Sequence, residues 1–387
     1  MPSGGPNTSP TSSSRLTVSV AASSSGSSTF DIYHEYLTLR HQSLPPALAA
    51  VSALGTSLQH HPVQTISETL DLLSTLSESL KTRVANPSIV AAGTDTFQRY
   101  LVTALSRLAQ PSANGRNRTA TEDITLATDF KTTKIAIISA AEKYVKRAQQ
   151  ARERAWGIGK QFLQHGTTVV VSHPSDAVAG FLKSAAAAGV HFRALLVQPS
   201  HRSFPAGSTA KTEGGDDSTS YTALAAALAA ADIPYAFIEP AAMAHAITTL
   251  PRDDIDRVPG ARRSTVVLSG AGALLSTGGV LAEVGTQQAA CVAKALGKEF
   301  WVVAEGYKIV RWDSLEAADA GLRGVTFESD AQDSAAASKD TQTGNEQGLW
   351  EFGLMDVTPA GMITGVITES GPQTPSAIAE EAIRIWF

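Results

Sequence analysis

The sequence predicts an α/β protein in which an N-terminal helical domain, residues 30–165, precedes a Rossmann-like domain with a doubly wound parallel sheet, residues 166–387. Two patterns carry that reading. Up to about residue 164, apolar side chains recur every three or four residues, the period of an amphipathic helix. Beyond it, short β-branched or apolar runs alternate with Ala-rich helical stretches, as in parallel strands covered on both faces. Residues 1–28 stand apart. Ser, Thr, Gly and Pro dominate there and Arg15 is the lone charged side chain, so a disordered tail is expected rather than a targeting signal.

In the first half, Phe30, Tyr33 and Leu37 share one face of a helix over 30–43. Pro45 and Pro46 open a second over 46–55, which Gly55 is expected to close. Ile66, Leu70, Leu73, Leu76 and Leu80 mark a third over 63–84. Asn86-Pro87 stops it, because proline lacks an amide hydrogen and disfavours a helical residue before it. A fourth, over 88–109, carries Phe97, Leu101 and Leu105 in register. A polar loop over 110–122 then leads to a long helix over 124–164.

Strands are expected at 167–172, 193–198, 234–239, 264–269, 300–304 and 361–368. Helices are expected between them at 176–189, 221–231, 241–249 and 287–297. Segments 204–219 and 329–348 are too polar to offset their ordering entropy by burial, and mobile surface loops are expected.

Composition narrows the function. Lys and Arg number 31 against 36 Asp and Glu, a net charge of -5, which argues against direct nucleic-acid binding. No apolar run approaches the roughly 18 residues of a membrane span. Cys291 is the only cysteine, so neither an internal disulfide framework nor a thiolate zinc site is expected; a reducing compartment, the cytosol, fits. Cys291 lies in an Ala-rich helix, where a small buried thiol is the expectation. On the long helix, Lys143, Lys146, Arg147, Arg152 and Arg154 suit either a phosphorylated partner or a solvated face interleaved with Glu142 and Glu153.

The most informative stretch is Val266 to Arg311: a strand, a glycine-rich loop, a helix opened at Gly285-Thr286, and a strand ending near Glu305. Thr286 reads as the N-cap, and free amide hydrogens at such a helix start suit an anion. Gly270-Ala271, Gly278-Gly279, Gly285-Thr286, Glu305 and Lys308 together resemble the diagnostic block of the family formed by the alpha, beta and delta subunits of initiation factor 2B and related sugar-phosphate isomerases. Thr374-Pro375-Ser376-Ala377 and Ala92-Gly93-Thr94-Asp95-Thr96-Phe97 are more similar to its alpha-type members.

That resemblance implies a regulatory subunit of the guanine nucleotide exchange factor for initiation factor 2. It would form a homodimer through its C-terminal half, join the beta, gamma, delta and epsilon subunits, and help sense the phosphorylated alpha subunit of initiation factor 2. The final helix, 375–386, with Ile378, Ala382 and Ile385 on one face and Trp386 and Phe387 after them, fits a nearby partner. The alternative is an aldose–ketose isomerase, which the resemblance disfavours. The family's catalytic acid corresponds to Gly272 and its cysteine to the region of Pro174 and Ser175, so no catalytic residue is assigned. Its arginine before the alanine-glycine pair corresponds to Ala91, and a later asparagine to Ala282. The resemblance implies no cofactor and no metal, but a vestigial pocket for a phosphorylated sugar or nucleoside monophosphate. His173, Ser175, Ser200, Gly278, Gly279, Thr286 and Lys308 would line it, with Thr286 and Lys308 as phosphate anchors.

Overall fold

In the computed structural model the described residues are 30–42, 44–84, 87–109, 122–173, 175–198, 221–250, 264–311 and 355–386. The N-terminal tail, the loops expected at 204–219 and 329–348, most of that expected at 110–122, Ser200 and Phe387 lie outside them. The helical half consists of α1 (Ile32–His41), α2 (Pro46–His60), α3 (Ile66–Lys81), α4 (Pro87–Ala109) and α5 (Glu122–Gly157). α2 has no charged side chain and is buried along most of its length, the place for a helix that is apolar all round. α1, α4 and α5 pack around it.

Gly55 does not close α2. It sits inside the helix, where an added Cβ would lie 3.0 Å from the Cβ of Ala141 on α5, so the missing side chain permits a close crossing. Gly93 does the same for α4, since a Cβ there would collide with the carbonyl oxygen of Ala47. The buried face of α1 is also turned from the expected one: Ile32 and Tyr36 point inward. Tyr33 instead lies under the Arg83 guanidinium, 4.4 Å from the ring centre, while Arg83 pairs with Asp31 at 2.6 Å. A cation over the ring face competes with burial for that tyrosine.

The long helix ends at Gly157, and a short α6 (Gly159–Phe162) follows. Next come β1 (Thr168–Val171), α7 (Asp176–Ala187), β2 (Arg193–Val197), α8 (Tyr221–Ala230), β3 (Tyr235–Ile238), α9 (Met243–Thr248) and β4 (Thr265–Gly270). The chain continues through β5 (Ala273–Leu274), β6 (Val280–Glu283), α10 (Thr286–Ala295), β7 (Glu299–Val303), β8 (Met355–Thr358), β9 (Gly365–Thr368), β10 (Gly371–Gln373) and α11 (Pro375–Trp386). The main sheet has the order β10-β9-β7-β4-β1-β2-β3, and β10 alone runs antiparallel to its neighbour.

Both faces of the sheet are covered at its centre, whereas edge strand β3 is largely exposed. Val169, Val171, Ala194 and Leu196 meet α7 and α8 on one side; Val170, Val267, Phe300 and Val302 meet α9, α10 and α11 on the other. Consecutive residues of a strand point to opposite faces, so a strand buried on both sides must be apolar at every position, as β1 is. The chain builds outward from β1 to β3, then returns to lay β4 beside β1. The switch point of the doubly wound sheet therefore lies between the carboxyl ends of β1 and β4.

Three expectations change in detail. The strand expected over 361–368 starts at Gly365, behind a 3-10 turn at Ala360–Met362, and the helix at 241–249 likewise opens with a 3-10 turn, Pro240–Ala242. The glycine-rich loop holds structure of its own. β5 and β6 form a hairpin, and β8 joins it as a separate antiparallel sheet packed against Ala92 and Ile89 of α4. α11 buries Ile378 and Ala382 in its own core, and Trp386 packs there too, with the Arg99 guanidinium 5.6 Å from its ring centre. Its apolar face is therefore occupied within the chain.

Candidate functional site

Side chains that follow β1 and β7 lie near the end of β4, at the switch point. After β1, the Ser175 hydroxyl caps α7 by accepting from the amide of Val178 at 3.2 Å. It lies against Gly270 at the end of β4, where any Cβ would collide with it. His173 reaches α10 instead, with Nδ1 3.3 Å from the hydroxyl of the fully buried Thr286. That hydroxyl donates to the carbonyl of Glu283 at 2.7 Å, so His173 is the donor at Nδ1.

Thr286 is not the N-cap. Gly285 takes that position with a φ of 102°, in the left-handed region that glycine tolerates, and Thr286 is the first helical residue. The amide hydrogens of the helix start are already engaged. Asp356, from β8, accepts from Gly285 at 2.8 Å and from Gln287 at 3.0 Å through one carboxylate oxygen. Burial raises the pKa of Asp356, although these amides and the nearby His173 act against the rise. A carboxylate of the chain itself sits where an external anion was expected.

Lys308 is engaged in a similar way. Its ammonium donates to the carbonyl of Ala271 at 2.9 Å and lies 2.8 Å from Glu305, whose side chain is 1% exposed. The other oxygen of Glu305 is 3.5 Å from the Arg152 guanidinium, which also binds Asp176 at 2.5 Å. Burial pushes the Glu305 carboxyl upward, but Lys308 and Arg152 outweigh it and hold the pKa below the usual value. Arg152 thus leaves the solvated face expected of it, while Lys143, Lys146, Arg147 and Arg154 remain exposed.

The expected site residues therefore fall into groups. His173 and Thr286 touch; Ser175 lies beside Gly270; Lys308 joins the Glu305 cluster. Gly278 and Gly279 serve the hairpin: a Cβ at Gly278, whose φ is 78°, would collide with Pro375, and one at Gly279 would lie 2.9 Å from the carbonyl oxygen of Thr358. Arg152, Asp176 and Asp356 were not singled out as site residues. Arg152 left a trace in the sequence, since it follows the stripe of Ala148 and Ala151 at the edge of the buried face of α5. Cys291 is exposed rather than buried, its sulfur 3.6 Å from that of Met362. A cavity of about 460 Å³ opens at the opposite edge of the sheet, among Phe162, Thr167, Ser264, Gly297 and Lys298. Among the described residues no group of three or more His, Cys, Asp or Glu could hold a metal, and no helix is long and apolar enough to cross a membrane.

Helices packed against a doubly wound sheet, with glycines and charged groups at the strand ends, define a Rossmann-like α/β protein. The model of the initiation factor 2 subunit family matches residues 97–375, and the chain belongs to that family. It is 29% identical over 259 residues to translation initiation factor eIF2B subunit alpha of Dictyostelium discoideum, covering 67% of this chain and 71% of that one. Solved structures share the fold. The translation initiation factor eIF-2B of Pyrococcus horikoshii OT3 aligns with a TM-score of 0.57 at 20% identity, over 90% of this chain and 99% of that one. eIF2B beta of Chaetomium thermophilum aligns with a TM-score of 0.63 at 15% identity, over 92% of each. A chain of the tetrameric eIF2B-beta2-delta2 complex of C. thermophilum aligns at 0.59 with 16% identity, over 92% of this chain and 94% of that one.

Proposed function

We propose that the chain is a non-catalytic regulatory subunit of the eIF2B complex, of the alpha type. The similarity to the Dictyostelium alpha subunit carries this reading. The site supports it physically. At Gly272, where the isomerases of the family place an acid, a Cβ would lie 2.9 Å from Ile89 and 3.0 Å from Met355. Apolar side chains fill the room that a proton-transferring carboxylate needs.

On this reading the protein acts in the cytosol as a homodimer built on its C-terminal half. It associates with the beta, gamma, delta and epsilon subunits and helps them respond to initiation factor 2 phosphorylated on its alpha subunit. The exposed Lys143, Lys146, Arg147 and Arg154 suit a phosphorylated partner. The C. thermophilum beta–delta tetramer supports association with other subunits of this kind. The homodimer rests on the family alone, since α11 spends its apolar face on its own core.

Affinity purification from the native cell is the direct test. The other subunits should co-purify, and deletion of the gene should leave basal nucleotide exchange in place while blunting its inhibition by phosphorylated initiation factor 2. A chain recovered alone would overturn the reading. The retained ligand, if the pocket holds one, is a phosphorylated sugar or nucleoside monophosphate. A thermal-shift series with both compound classes tests that separately, with about 2.7 kcal/mol of stabilisation expected at a hundredfold excess over Kd.

A further inference from the structure

We infer that Arg152 is a latch which fastens α5 to the carboxyl ends of β1 and β7 by holding Asp176 and Glu305. The argument starts from where the four charged groups sit in the chain. Glu305 follows β7, Asp176 is the first residue of α7 after β1, and Lys308 reaches the carbonyl of Ala271 just past β4. Strands β7, β4 and β1 are neighbours in the sheet, in that order. One carboxylate and its partners therefore tie together three adjacent strand ends.

Arg152 alone in this cluster comes from the helical half, and its side chain is 13% exposed. It bridges the carboxylates of two strand ends, at 2.5 Å to Asp176 and 3.5 Å to Glu305. Its guanidinium lies 5.0 Å from the ring centre of Trp156, one helical turn further along α5. That ring lies in turn against Gly180 of α7, where any Cβ would collide with it. The planar cation is thus oriented by a stacked ring and held by two carboxylates, a geometry that lysine, a point charge on a flexible stem, does not reproduce. Lys308 serves the same carboxylate from within the sheet half and does not touch α5 in this network. The two cations of Glu305 therefore have separable jobs: Lys308 joins β7 to β4, and Arg152 joins the sheet to α5.

Hydrogen–deuterium exchange on the full-length protein tests the assignment. In Arg152→Met, peptides covering residues 140–157 and the start of α7 should exchange about tenfold faster than in the wild type, as expected when a local opening becomes easier. Lys308→Met should speed exchange around 271–274 and 305–309 and leave 140–157 at the wild-type rate. Arg152→Lys should behave like Arg152→Met, because charge without the planar fork does not span both carboxylates. Wild-type rates over 140–157 in both Arg152 variants would overturn the latch. So would equal loosening of α5 by Lys308→Met, which would make the cluster a general support rather than a fastening of one helix. Should Arg152→Met fail to fold, the comparison of Arg152→Lys with Lys308→Met decides alone.

Discussion

Two carboxylates of this protein occupy places where an anionic ligand was expected, and they respond to their surroundings in opposite ways. Asp356 sits on the amide hydrogens that start α10, and its pKa is raised. Glu305 is the more deeply buried of the two, and its pKa is lowered. Burial alone would predict the reverse order. The partners decide it: Glu305 faces two formal cations, Lys308 and Arg152, whereas Asp356 faces amide dipoles and a histidine. Full opposite charges outweigh desolvation where partial charges do not.

The largest effect should come from breaking the better-paired site. Glu305→Ala leaves Lys308 without a carboxylate partner in a buried setting, and Arg152 with Asp176 alone, and should cost about 3–5 kcal/mol in urea denaturation. A loss below roughly 1 kcal/mol would mean that solvent reaches the cluster and screens it.

The pH dependence sharpens the contrast, because the two groups contribute with opposite sign. The stability Glu305 supplies is present above its unfolded value of 4.5 and is lost as pH falls through its lower folded pKa. The wild type should therefore lose its advantage over Glu305→Gln on acidification. Asp356, with a folded pKa above 3.8, binds its proton more tightly in the fold. The wild type should gain on Asp356→Asn as pH falls through that folded pKa towards 3.8. Parallel curves for the two pairs of proteins would remove the distinction.

A smaller loss is expected at the helix start. Asp356→Ala should cost about 0.5–2 kcal/mol, the range for removing a helix cap, and Asp356→Asn less, since its carbonyl oxygen still accepts from Gly285 and Gln287. The smallest effect concerns Tyr307, which inserts among Ala47, Leu48 and Ala148 beside the Glu305 cluster with no hydrogen-bond partner for its hydroxyl among the described residues. Tyr307→Phe should stay within about 1 kcal/mol of the wild type or stabilise it, because no bond is lost. A clear destabilisation would show that the hydroxyl serves a bound water or ligand.

The elements of both halves were legible because periodicity is local. β1, β2, β4 and β7 fall where short β-branched or apolar runs occur, and α3, α4 and α7 where apolar spacing is helical. Gly55 misled because a glycine in a sequence marks either a stop or a close contact, and the neighbour that decides, Ala141, lies far along the chain. The β5–β6 hairpin was missed for the same reason. Its strands are short, and β8, which completes the sheet, comes much later in the chain.

At the site, the amino-acid sequence by itself determined which groups stand at the strand ends: His173 and Ser175 after β1, Gly270 at the end of β4, Glu305 and Lys308 after β7. A strand's alternation and length set what comes next, and both are properties of neighbouring residues. The tertiary structure alone decided how those groups are spent. Asp356 arrives from β8 to fill the start of α10, and Arg152 arrives from α5 to pair with Glu305 and Asp176. A charge's partner is chosen by distance in space, within a few ångströms, and spacing along the chain carries no record of that distance once the elements fold back on one another.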